Sequence, residues 1–362
     1  HIRDGVKFSN GKELTASAVV ESIEYMYKQE NSGKGSSAPS VYMKYDSIKA
    51  DDESRTVTIK TSKPHTDLTK TLAHPYFSIL DMESDLVNKP VGTGPYKFVS
   101  WDAGQTITME KNEEYFAGAA NIDTIVFKIV TDDNAKAMQL LSGELDLAQI
   151  TPKEESLFAD NDEFKVYDMT TSDYRGILYN FNNEYWQENA DLIPAINYAI
   201  DRKAILDAVL LDKGEVAYGP LQRNKYNNEN VEHYDYNLEK SAEIFEAAGC
   251  TKDADGYWCR NGERISFTIN ATPGDQVRID MAQIAAQQLR EAGLDVKADV
   301  PAGGIDWAGQ ECCIIGWGSP FDADDHTYKV FGTDKGANYS GYSNALVDEY
   351  LTQARQTEDE NE

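Results

Sequence analysis

Apolar residues first recur at helical spacing between Ala16 and Gln29, where Val19, Val20, Ile23 and Met26 share a face behind Thr15 at the N-cap position. Asn10-Gly11 just before them signals a turn, and 33–40 reads as a loop. Alternating apolar and polar residues follow at 57–60, 94–101 and 105–110, the last two flanking Asp102-Ala103-Gly104. Residues 1–118 therefore read as a β-rich subdomain. From Ile122 the order becomes a strand at 125–130, a helix capped near Asp132 and running to Leu141, Gly143, and a strand at 145–150. That is the order of a βαβ unit, which predicts a parallel sheet. A strand is expected at 174–181 and one long amphipathic helix at 195–211, placing a lobe boundary near Asn182. Helices at 241–248 and 276–292 each stop at a glycine suited to a left-handed C-cap, Gly249 and Gly293. The run from Cys312 to Gly318 reads as a buried strand. Three segments result: 1–118, 119–182 as an α/β core segment, and 183–362 as a second α/β lobe.

A chain of 362 residues is long enough for two or three domains with full cores. Acidic residues outnumber basic ones 62 to 34, a net charge of −28. This opposes nucleic-acid binding, which depends on clustered Lys and Arg. No apolar run approaches the ~18 to 20 residues of a membrane span. The chain begins at His1 inside a strand–turn motif and reads as a fragment, which leaves export open. Cys312 and Cys313 read as core thiols. Cys250 and Cys259 bracket an Asp255-Gly256 turn that draws their flanks together, so a disulfide and two separate thiols are both open.

Chemical signatures are sparse. GxSxG, HExxH and Cys-His spacings are absent, and carboxylate pairs arise by chance among 62 acidic residues. A hydrolase with paired carboxylates is thus a remote alternative, and no catalytic residue is assigned. His65, His74, His233 and His326 lack metal-ligand spacing, so neither a protein metal site nor a cofactor is expected. Gly92-Thr93-Gly94 lacks the third glycine of a dinucleotide fingerprint and reads as a strand-entry turn. The loop 317–325 has the composition of a ligand loop: Trp317 ends the apolar run, Gly318 and Pro320 interrupt it, and Phe321 adds a ring. The competing reading makes Trp317 core. Asp322, Asp324 and Asp325 precede a helical stretch whose positive end they would complement by about 0.3–1 kcal/mol each. Arg175 offers a forked donor to a ligand carboxylate, or a local salt bridge. Tyr76 and Phe77, after His74-Pro75, are cleft or packing residues.

Six stretches in order, IRDGVKFSNGKELTASAVV (2–20), PVGTGPYKFVSWDAGQTITMEKNEEYF (90–116), SGELDL (142–147), INYAIDRKAIL (196–206), IIGWGSPFDADDHTY (314–328) and NYSGYSNALVDEYL (338–351), resemble the extracellular solute-binding proteins of peptide, dipeptide and nickel ABC importers. The resemblance implies an α/β, two-lobed periplasmic-binding-protein-like fold of class II, type C. The lobes are hinged and close over a ligand between them, with an extra β-rich subdomain on the first lobe. It implies truncated termini, about fifty residues missing at each end. The implied role is substrate capture without catalysis, delivering an oligopeptide or dipeptide to the transmembrane subunits of an ABC permease. The alternative ligand is nickel or a metal–metallophore chelate. The expected protein is a monomer, lipid-anchored outside the cytoplasmic membrane or periplasmic. In the nickel-type branch a loop similar to 317–322 makes Trp317 and Phe321 cleft-lining. Peptide-binding relatives carry an amine-pairing Asp three residues after the Trp. Here that position is Pro320, which leaves Asp322 as its substitute. Tyr339 lies in a motif similar to one that reaches the cleft. The expected ligand set is Trp317, Phe321, Asp322, Arg175, Tyr76 and Tyr339.

Overall fold

The computed structural model describes residues 1–31, 39–66, 68–318, 323–357 and 359. The chain folds as two compact units, 1–130 with 352–362, and 131–351.

In the first unit, α1 (Ala16–Asn31) starts where the sequence places it, with Thr15 Oγ1 accepting from the Ala18 amide at 3.1 Å. It packs Ile23 with Met43, Tyr42 and Phe77 above the hairpin β1 (Tyr45–Asp51) and β2 (Thr56–Thr61). Strands β3 (Tyr96–Asp102), β4 (Thr106–Lys111) and β5 (Thr124–Lys128) form an antiparallel meander. The C-terminal segment is tied in by Arg355, whose Nη2 donates to the Val41 and Tyr42 carbonyls at 2.6 and 2.9 Å.

The expected βαβ unit does not form. Ile125 is paired antiparallel with Met109, and 145–150 makes no strand. The intervening helix α2 (Asp133–Leu141) is present, capped by Asp132 as expected. Leu145, Ala148 and Ile150 pack locally against Ala137, Leu140 and Phe158 instead. Apolar alternation specifies a pleated surface but not its partner.

The second unit is built on a mixed sheet of four strands, β6 (Gly176–Tyr179), β10 (Ser266–Asn270), β11 (Asp295–Asp299) and β12 (Cys312–Ile315), in the order β11-β10-β12-β6. Strands β7 (Thr251–Lys252), β8 (Trp258–Arg260) and β9 (Glu263–Arg264) form a small antiparallel sheet apart from it. In the main sheet β10 is parallel to β11 and β12, while β12 is antiparallel to β6. Helices of this unit include α3 (Pro152–Glu155), α4 (Ile193–Tyr198), α5 (Arg202–Leu210), α6 (Leu238–Ala247), α7 (Gln276–Glu291) and α8 (Asp324–Phe331), and α9 (Ala345–Ala354) belongs to it as far as Leu351. The expected 195–211 helix is broken in two because Asp201 turns its carboxylate onto the Ala204 amide at 2.9 Å and starts a new helix. Gly249 and Gly293 take the left-handed cap conformation, φ +80° and +94°.

The division falls after Val130, upstream of Asn182. Residues 131–182 go with the second unit because β6 is the antiparallel neighbour of β12, and Lys153 on α3 pairs with Asp280 on α7. Trp186, Ile196, Phe245, Ile269 and Leu289 fill the main core on one face of the sheet. Cys313, Ile315 and Leu178 lie on the other.

The Asp255-Gly256 turn joins β7 to β8 as expected, yet Cys250 and Cys259 are both free and buried. The register places Cys259 opposite Thr251, so Cys250 is one residue out of step and on the opposite face. Cys312 and Cys313 are core thiols as expected, and burial pushes the Cys313 thiol up to about 12. Titration with a thiol reagent at pH 8 without reductant is therefore expected to count four thiols in denaturant and almost none in the folded protein. A count of two in denaturant would mean that Cys250 and Cys259 are bridged.

Candidate functional site

Ligands of open α/β sheets gather beyond the carboxyl ends of the strands. At that end of β12 the chain continues through Gly316, Trp317 and Gly318 against the residues that lead into β6. The Tyr174 amide donates to the Trp317 carbonyl at 3.3 Å. The approach is so close that a Cβ on Gly316 would lie 1.5 Å from the Tyr174 carbonyl oxygen, and one on Gly318 would lie 2.5 Å from Asp173 Cβ. Glycine on both sides of the indole is thus a backbone requirement. Gly316→Ala is expected to cost about 1–3 kcal/mol in urea denaturation, since the obstructing atom is main chain. A variant with the parent's midpoint would refute this.

The Trp317 ring is half-buried on Ile305, Cys313 and Ile315, with the Tyr174 ring 6.1 Å away at 43°. Burial first, then the Asp173 charge, raises the Tyr174 hydroxyl well above its ordinary value, so it stays protonated. Two guanidinium groups of this unit lie within each other's electrostatic reach. Arg175 pairs through Nη1 with Asp173, and its buried Nε has no hydrogen-bond partner. Arg278, in the first turn of α7, donates to Thr272 Oγ1 at 3.4 Å. Its Nε lies 3.1 Å from Asp275 Oδ2 but is not aligned for a hydrogen bond. Burial, and next the charge of Arg175, push the Arg278 guanidinium below its ordinary value, while Asp275 and Asp173 oppose that. Two cations that feel each other's charge, each with an Nε donor that no protein acceptor takes, are suited to an anion that offers two oxygens.

Trp317 and Arg175 are thus brought together. Tyr339 joins the same apolar cluster as Trp317, and its ring stacks on Trp307 at 4.5 Å and 28°. Tyr76 lies in the first unit, stacked 4.7 Å from His74 and tilted against Tyr42 at 5.7 Å, and Phe77 is buried there as packing. His74 Nδ1 accepts from the Tyr76 amide. Phe321 and Asp322 lie outside the described residues. Asp324 and Asp325 occupy the first turn of α8, and Asp325 pairs with Lys329 at 2.7 Å. Sequence reading singled out neither Arg278 nor Trp307. Arg278 carries only the signature of a helix start, and Trp307 stands in a loop without periodicity.

The profile of the bacterial extracellular solute-binding proteins, family 5 middle region, matches residues 1–340. The oligopeptide-binding protein AppA of Bacillus subtilis is 28% identical over 390 residues, covering 99% of this chain and 69% of its own. The solved structure of NikZ from Campylobacter jejuni in complex with Ni(L-His) has a TM-score of 0.90 at 28% identity, with 99% of this chain and 75% of that one covered. AppA from Bacillus subtilis in complex with a nonapeptide has a TM-score of 0.82 at 27% identity, with the same coverage.

Proposed function

This chain belongs to the bacterial extracellular solute-binding proteins of family 5, the substrate-capture components of ABC importers, and from that premise we propose that it captures an oligopeptide through the peptide's terminal carboxylate. Arg175 and Arg278 grip the carboxylate, and Trp317 with Tyr174 covers the adjoining side chain. The observation that carries this reading is the pair of partly buried arginines within each other's electrostatic reach, each with a buried Nε that lacks a protein hydrogen bond, Arg175 directly following Tyr174, whose ring faces Trp317. A buried donor left unpaired by the protein costs about 1–3 kcal/mol, so a ligand that supplies the missing acceptor recovers that free energy. The likeness to AppA supports a peptide as that ligand. Action as a monomer beside an ABC permease, attachment outside the membrane by a lipid anchor, and capture without catalysis complete the proposal.

A second reading is favoured by the likeness to NikZ. Among the described residues no group of three or more His, Cys, Asp or Glu is placed to hold a metal ion. Nickel would therefore arrive already chelated, with the chelator's carboxylates on the same arginines. Native mass spectrometry of the protein purified from its host separates the two. A trapped ligand that fragments into amino-acid residues is the expected result, and a species with the nickel isotope pattern would displace the peptide reading.

A further inference from the structure

Within the second unit, residues 131–172 fold on themselves. The backbone hydrogen bonds of α2, of the turn at Gly143 and of α3 close inside the segment, and among the described residues none crosses from 131–172 to 176–351. Ala137, Leu140 and Phe158 form a buried cluster that shares no member with the core around Trp186 and Phe245. Residues 164–175, which lead out of the segment, carry neither helix nor strand, and Tyr167 and Met169 there are exposed. The side-chain ties that do cross are ionic. Lys153 on α3 pairs with Asp280 on α7. Lys213, just beyond α5, reaches back to Glu155 at 2.5 Å and to Asp168 at 2.9 Å. Although α3 touches α5, a cavity of about 400 Å³ opens along the joint, walled by Asp132, Thr151 and Glu154 from the segment's side and by Val209, Gln276 and Ile279 from the other. Apolar surfaces packed at the density of a protein interior leave no such space, so this joint is held by charge more than by packing.

We propose that 131–172 is a flap held down by an ionic latch, Lys153 to Asp280 and Lys213 to Glu155 and Asp168, which comes away ahead of the rest of the chain when those charges are screened or removed. The latch does not depend on which ligand the arginines take, although Asp280 stands two residues after Arg278 on α7. Partly exposed pairs of this kind weaken with salt, since the Debye length falls from about 30 Å at 0.01 M to about 3 Å at 1 M. Salt acts on the whole molecule in the opposite sense, because it screens the self-repulsion of a chain with a net charge of −28. A segment that loosens in salt therefore runs against the global trend. Once lifted, so short a piece with one small cluster cannot hold its helices, and its amides exchange with solvent.

The test is hydrogen–deuterium exchange of the whole chain in about 0.01 M and about 1 M sodium chloride, read by mass spectrometry on peptides from 133–158 and from β10 to β12. In the parent, 133–158 is expected to exchange about threefold to tenfold faster at high salt while the sheet peptides do not speed up. Lys213→Met removes two of the three pairs and is expected to show faster exchange of 133–158 already at low salt, with a smaller further response to salt. Lys213→Arg is expected to keep the parent's pattern. Exchange of 133–158 that ignores salt in the parent, or that is unchanged by Lys213→Met, overturns the latch. A rise shared equally by the sheet peptides overturns it as well, because the chain then opens only as a whole.

Discussion

Arg278→Met weakens binding of a peptide with a free carboxylate by about a hundredfold or more, while the corresponding C-terminal amide binds parent and variant equally poorly. Truncating one partner of a buried, hydrogen-bonded charge pair costs about 2–5 kcal/mol, which sets that magnitude. Methionine fills a similar volume on the first turn of α7 and removes the donors. The fold itself is expected to lose little. The Arg278–Asp275 pair is one helix turn in span and partly exposed, worth about 0–1 kcal/mol. Its loss also removes a guanidinium that burial, and next the charge of Arg175, hold below its ordinary value. Arg278→Lys keeps the charge but not the planar fork, and an intermediate loss of about tenfold is expected. Titration calorimetry on acid and amide forms of one peptide reads all three. Parent-like affinity in Arg278→Met would remove the arginine pair from the site.

Trp317→Ala is the second large effect, and it has two parts that must be read apart. The half-buried indole covers Ile305, Cys313 and Ile315, so its removal is expected to lower stability by roughly 2 kcal/mol in urea denaturation, less than the ~3–5 kcal/mol of a fully buried ring. The ligand loses an aromatic face, which is expected to weaken peptide binding by about tenfold. Trp317→Phe restores most of the binding and only part of the stability, because the smaller ring still faces Tyr174 but leaves space over Cys313. A Trp317→Ala protein that is destabilised yet binds peptide as the parent does would make this indole a packing residue and nothing more.

Both predictions turn on residues that sequence reading handled unequally. Trp317 was legible because an apolar run followed by Gly318 marks the end of a buried strand, where ligands collect. The reason for the glycines on either side of it, the approach of the Tyr174 carbonyl and Asp173, belongs to a strand pairing that no local pattern encodes. Arg175 was legible as a forked donor, but its neighbour Arg278 was hidden at a helix start remote in sequence.

What the chain declares by itself is local. Thr15 and Asp132 cap their helices, Gly249 and Gly293 end theirs, and Asp255-Gly256 turns a hairpin. Each depends on atoms within four or five residues, where side-chain hydrogen bonds and φ preferences act without help from the rest of the fold. Tertiary packing decided the rest: β5 joined an antiparallel meander, β6 was laid against β12, Arg278 was brought within electrostatic reach of Arg175, and Tyr339 was stacked between Trp307 and the cluster under Trp317. Apolar alternation says which face of a strand is buried. Which partner covers that face is settled only when competing arrangements are weighed by the surface they bury and the polar groups they leave paired.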